Sequence, residues 1–177
     1  DQPPTTGMAV ALAEVGRGYY NAGRLADAVR YLERSVGVEP NALALEQLGV
    51  IQLRRGEGAQ AAATLERARA VFQANTHVDA ANKQLFGARL GRLIAEALEL
   101  TPDGKAKARE VRERSLRQFA NLLDSSALNG GRAAEAEVER GKLYYQQGER
   151  EQGLEAFRRA ADISRGEGES KAPGQVF

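Results

Sequence analysis

Residues 9–40 carry two stripes of apolar positions at helical spacing. Leu12, Val15, Gly16 and Tyr19 recur at i, i+3, i+4 and i+7, and after a break at Asn21-Ala22-Gly23 a second stripe runs through Leu25, Ala28, Val29, Leu32 and Val36. Gly23 suits the left-handed residue that closes a helix, and Pro40 cannot continue one. Small residues at Gly16 and Ala28 let the two helices approach closely. The spacing predicts a helix hairpin that cannot cover both of its apolar faces and must stack on neighbours.

The same pattern returns. A shift of 33 residues carries Gly16 to Gly49, Gly23 to Gly56, Ala28 to Ala61 and Leu32-Glu33-Arg34-Ser35 to Leu65-Glu66-Arg67-Ala68. A shift of 125 reaches Gly141, Tyr144 and Gly148, with Phe157 and Ala160 following. Gly49 and Gly141 lie 92 residues apart, about 24 more than two periods of about 34 would take. One enlarged hairpin is expected there. Its helices would span about 78–98, with Leu85, Leu90, Leu93, Ile94 and Leu98, and about 106–123, with Val111, Leu116, Phe119 and Leu122. Pro and Asp-Gly chemistry at 101–105 supplies the turn. A separate hairpin inserted between standard units is the alternative.

The expected layout has residues 1–7 and 165–177 as flexible ends around one helical array over 8–164. Its units would be about 9–41, 42–74, the enlarged 75–131, and 132–164. The tail could equally be the start of a linker.

The spacing Leu12-x2-Val15-Gly16-x2-Tyr19, then Ala28-x3-Leu32, then Pro40, resembles the tetratricopeptide repeat. Leu45, Leu48, Gly49, Ala61, Leu65 and Ala68 fit a second unit, and Gly141, Tyr144, Phe157 and Ala160 fit the last. The last unit departs at Glu137 and Arg140, where apolar residues are expected, and at Gly153, where the family has Ala. The resemblance implies an all-α, right-handed solenoid of about eight helices.

It also implies a binding mode. In that family the first helices of successive units line a concave groove that holds extended peptides or partner helices. Carried over to this chain, the groove positions are Arg17, Tyr20 and Asn21, then Glu46, Val50, Leu53 and Arg54, then Gln84, Ala88 and Arg92, then Lys142, Tyr145 and Gln146. Tyr19 and Tyr144 lie on the core stripe, while Tyr20 and Tyr145 turn about 100° further round, towards the groove. A tyrosine there is a rigid anchor with one polar tip; the alternative for both is filler between helices. The set of Lys, Asn and Arg by which some family members clamp the carboxyl terminus of heat-shock chaperones is not matched, since the corresponding places hold Ala13, Arg17, Gln47, Ala81 and Leu85, of which only Arg17 is basic. Arg17, Arg54, Arg92 and Lys142 against Glu46 still lean positive, which favours an acidic or carboxylate-bearing ligand.

Composition narrows the function further. Ala, Leu, Glu and Arg favour helix, and aromatic residues reach only 6%. The net charge of +1 provides no global field for nucleic acid or an acidic membrane, and no apolar run approaches a membrane span. Arg outnumbers Lys by 20 to 5, which points to a GC-rich bacterial genome. The opening Asp-Gln-Pro-Pro-Thr-Thr-Gly is neither an initiator sequence nor a signal peptide. A processed or trimmed start is expected, so that an export signal could already be gone, and bacterial cytoplasm and periplasm both stay open.

Candidate chemistry is sparse. There is no cysteine, and His77 is the only histidine, so His-rich metal sites and Cys–His pairs are excluded. His77 reads as an exposed residue where a helix begins, with Asn75 or Thr76 as cap. Glu135, Glu137 and Glu139 read as a solvated face. The stretch Lys105–Arg117 carries +4 and reads as another, with an acidic protein, nucleic acid or lipid headgroups as alternative contacts. No phosphate loop is present. Neither enzyme chemistry nor a cofactor is expected. The reading is a non-enzymatic adaptor that binds a protein or peptide within a bacterial multiprotein assembly. A self-associating homo-oligomer and a regulatory domain cut from a larger protein are the alternatives.

Overall fold

A computed structural model describes residues 5–170. Among them are eight α-helices: α1 (Thr5–Asn21), α2 (Leu25–Val38), α3 (Ala42–Arg54), α4 (Gly58–Ala74), α5 (Ala80–Glu99), α6 (Lys105–Asp124), α7 (Gly130–Gln146) and α8 (Arg150–Ser170). Two expectations about the ends change. α1 already begins at Thr5, and α8 continues through 165–170 as helix rather than stopping at 164. Residues 1–4 and 171–177 of the expected flexible ends lie outside the described residues.

Three of the turns are one structure written three times. Gly23, Gly56 and Gly148 adopt φ of +75°, +76° and +82°, a region open to glycine without steric cost. Gly23 N donates to Tyr20 O and Arg24 N to Tyr19 O, and the same pair of bonds recurs at Gly56/Glu57 and Gly148/Glu149. Both bonds satisfy carbonyls that a helix end would otherwise leave bare. The α5–α6 turn is different. It closes through Thr101 N to Leu98 O, with Gly104 packed so tightly that a Cβ there would lie 1.8 Å from Leu98 O.

The chain divides into two compact units. Of the described residues, the first comprises 5–79 and 93–111. In it α1 pairs with α2, α3 with α4, and α2 packs on α3. Gly16 makes the first pairing close, since a Cβ on it would meet Leu32 Cγ at 2.7 Å; Gly49 stands in the same relation to Leu65 at 2.6 Å. Leu32 and Leu65 are fully buried, each worth about 2 kcal/mol. Ser35 Oγ donates to Ala9 O at 2.6 Å and accepts from Asn41 Nδ2 at 2.8 Å. Asn41 Oδ1 in turn accepts from Ala44 N and caps α3. One buried hydroxyl and one amide therefore tie α1, α2 and α3 together.

Of the described residues, the second unit comprises 80–92 and 112–170. Its core joins Leu85 and Ala88 of α5, Phe119 and Leu122 of α6, and Ala136 and Leu143 of α7. α7 and α8 pair through Gly141, where a Cβ would lie 2.4 Å from the Phe157 ring. The close approach predicted at Gly16 thus recurs at both sequence shifts.

Candidate functional site

In the first unit the candidate residues sit on α1 and α3, the first helices of their hairpins. Arg17 and Asn21 are exposed, and Arg17 pairs with Glu14 one turn away. Tyr20 is half-buried against the core, and the Arg54 guanidinium of α3 lies over its ring at 4.9 Å. That cation–π contact joins the two helices at the surface. Val50 is half-buried, and Leu53 packs on Ala61, Ala62 and Ala97. Glu46 does not face a groove: it is only 9% exposed.

In the second unit the candidates sit on α5 and α7. Gln84 is exposed, Ala88 is core, and Gln146 is half-buried. Arg92 and Lys142 converge on Glu139, with Arg92 Nε to Oε2 at 2.9 Å and Lys142 Nζ to Oε1 at 2.6 Å. Burial pushes the Glu139 carboxyl up, but hydrogen bonds from Lys142 and Arg92, with their charges, outweigh it and hold the group below the ordinary carboxylate value.

This overturns the expectation that Glu137 and Glu139 face water. Both are about 5% exposed or less, while Glu135 is exposed as expected. Glu137 takes the place of an apolar residue because Arg159 reaches it from α8, with Nε to Oε1 at 2.9 Å, and Arg140 Nη1 lies 3.2 Å from the same oxygen. A buried charge is tolerable only when paired in this way. The hydrogen bond to Glu137 also raises the Arg159 pKa above its already high value. Sequence reasoning missed Arg159 and Glu139 as site residues. The signal for the network was the pair of charged residues, Glu137 and Arg140, in an apolar register.

The Tyr145 ring lies across Gly153 and packs on Phe157 at 5.7 Å, so it fills space within its own hairpin while remaining 42% exposed. The Tyr145 ring stands 2.4 Å from where a Cβ would lie, which explains why this position holds glycine in place of alanine. Arg112, in the basic stretch expected to be solvated, is 5% exposed, while Lys105, Lys107, Arg109, Arg114 and Arg117 are exposed. The positive lean of the candidate groove is also reduced, since Arg17, Arg92 and Lys142 each pair with a glutamate.

The hairpins of the first unit can be compared with known families. The family model for the tetratricopeptide repeat matches residues 16–76, which span the Gly16–Leu32 and Gly49–Leu65 contacts. Over that stretch the chain belongs to the tetratricopeptide repeats. Its tetratricopeptide fold is similar to a crystal structure of MamA, with a TM-score of 0.53 at 18% identity, over 91% of this chain and 81% of that one. A double mutant of MamA from RS-1 gives 0.50 at 17% identity, over 90% and 76%. At that identity the likeness concerns the fold, an all-α array of tetratricopeptide-type hairpins. No curated protein matches the chain. The tetratricopeptide fold supports a protein-interaction role in general terms. Among the described residues no helix is long and apolar enough to cross a membrane, and no cluster of three or more His, Asp or Glu could hold a metal ion.

Proposed function

We propose that this chain is a non-enzymatic adaptor that binds a protein segment along the first helices of its hairpins, within a larger bacterial assembly. The observation that carries the reading is the Tyr20–Arg54 pair, which puts a half-buried ring and an exposed cation on adjacent first helices. Tyrosine and arginine are the residue types that most often anchor interfaces. Arg17 and Asn21 add exposed polar groups beside the ring, and Val50 adds apolar surface. Gln84, Arg92, Lys142, Tyr145 and Gln146 supply the corresponding surface in the second unit. There Arg92 and Lys142 share the single charge of Glu139, so selectivity for an acidic ligand would rest on Arg54 together with the one positive charge left at that site.

The test is affinity capture from the source organism's lysate, read by mass spectrometry, with wild type and a Tyr20→Ala/Arg54→Glu variant of equal helical circular dichroism. A partner lost from the variant alone supports the reading. A partner held equally by both would move the site off these helices. Capture of the chain itself would favour self-association.

A further inference from the structure

The loop between α2 and α3 borders a hollow of about 410 Å³ in the first unit. Its walls include Val10 of α1, Pro40 of the loop, and Val71 and Phe72 near the end of α4, and Glu39 is the one charged residue that lines it. A shift of 33 residues carries Glu39 to Phe72, so the acid and the ring hold the same repeat position on neighbouring hairpins.

The Glu39 backbone is firmly held. Its N–H donates to Ser35 O at 3.0 Å, its carbonyl accepts from Asn41 Nδ2 at 3.2 Å, and Pro40 stiffens the chain beyond it. The side chain is not held in this way. Glu39 Oε2 is buried and, among the described residues, has no hydrogen-bond donor. Other polar groups around the hollow are already used: Ala9 O accepts from Ser35 Oγ, Asn41 Oδ1 from Ala44 N, and Asn75 Oδ1 from His77 N. Withdrawing a carboxylate oxygen from water without a donor is costly. The buried carboxylates of α7 avoid that cost by taking a guanidinium, Arg159 on Glu137 and Arg92 on Glu139, each at 2.9 Å.

We propose that the hollow is a socket for an arginine side chain of a partner protein. A guanidinium suits it better than an ammonium, because it is planar and bidentate on a carboxylate, more weakly hydrated, and able to stack on an aromatic face such as that of Phe72. Its aliphatic stem lies against Val10, Pro40 and Val71. Rotation about the last side-chain bond of Glu39 exchanges the two oxygens, so a donor at the mouth also satisfies Oε2. Residues 1–7 contain no lysine or arginine, so they do not supply the cation. The socket sits at the start of α1 and α3, about 15–18 Å along those helices from Tyr20 and Arg54, and is separate from the proposed adaptor surface.

The probe is Nα-acetyl-arginine amide, whose only charge is its guanidinium, titrated into the full chain and followed through the backbone amide resonances of Glu39, Ala42, Val71 and Phe72. Saturable binding near about 1 mM is expected for a single side chain. Glu39→Gln keeps the shape and removes the charge, and should weaken binding about tenfold or more. The uncharged analogue Nα-acetyl-citrulline amide should not bind. Since Oε2 has no donor in the free chain, Glu39→Gln should leave Tm unchanged or raise it. Tyr20→Ala/Arg54→Glu should leave the affinity unchanged, so this site and the adaptor surface stand or fall separately. Absence of saturation, equal binding to Glu39→Gln, or equal binding of the citrulline or lysine analogue overturns the proposal. A lower Tm for Glu39→Gln does so too, because the carboxylate would then have a structural partner. So does a concentration-dependent dimer in sedimentation that Glu39→Gln abolishes, because the arginine would then belong to a second copy.

Discussion

Replacing Glu139 by glutamine keeps the shape of the side chain and removes its charge. The native carboxylate is 5% exposed and is held by Arg92 and Lys142. Removing one partner of a fully buried ion pair costs about 3–5 kcal/mol, because the other charge is left stranded. The cost is smaller here. The Lys142 side chain is 45% exposed and can turn to water, whereas that of Arg92, at 17%, can do so only in part. Halving the buried figure gives about 2 kcal/mol, or a fall in Tm of about 4–8 °C for a chain of this length. Urea unfolding followed by far-ultraviolet circular dichroism measures the loss, and hydrogen exchange should place it in α7 and the first part of α5. The pH dependence gives a second check. A carboxyl whose folded pKa is lowered contributes fully above the ordinary carboxylate pKa and loses its contribution as pH falls through the lowered value. Wild type and Glu139→Gln should therefore differ at neutral pH and converge in acid. A neutral-pH difference under about 0.5 kcal/mol, or a gap that stays constant through the acid limb, would refute the reasoning.

Gly141→Ala should destabilise by about 1–3 kcal/mol in urea unfolding, since its methyl would meet the stiff Phe157 ring at 2.4 Å. Gly16→Ala should cost less, because its nearest neighbours, Leu32 Cγ and Cδ2 at 2.7 and 2.8 Å, belong to an aliphatic side chain that can shift further than a ring, with Leu32 backbone N at 3.2 Å limiting the relief. Asn41→Ala removes the cap of α3 and the donor to Ser35, and should cost about 1–2 kcal/mol by the same assay. Gly148→Ala forces a side chain into φ +82° and should cost about 1 kcal/mol or more; a neutral result would mean that the α7–α8 turn rearranges freely.

The hairpins were legible in the sequence because their rules are short-range or periodic. A glycine three residues past a Tyr-Tyr pair closes a helix whatever surrounds it, and a glycine facing a leucine or phenylalanine sixteen residues on sets the helix spacing each time it recurs. The ion-pair network obeys no such rule, since Arg92 and Glu139 are 47 residues apart and Arg159 and Glu137 are 22 apart. Arg34 and Arg159 show why register alone does not settle such cases. They occupy the same repeat position, 125 residues apart. Arg34 lies over the Tyr31 ring at 5.6 Å, while Arg159 grips the Glu137 carboxylate. The position that holds Glu137 in the last unit holds Leu12 in the first, which gives a guanidinium nothing to bind. The repeat therefore fixes where each arginine stands, and the residue facing it across the hairpin decides what the arginine does.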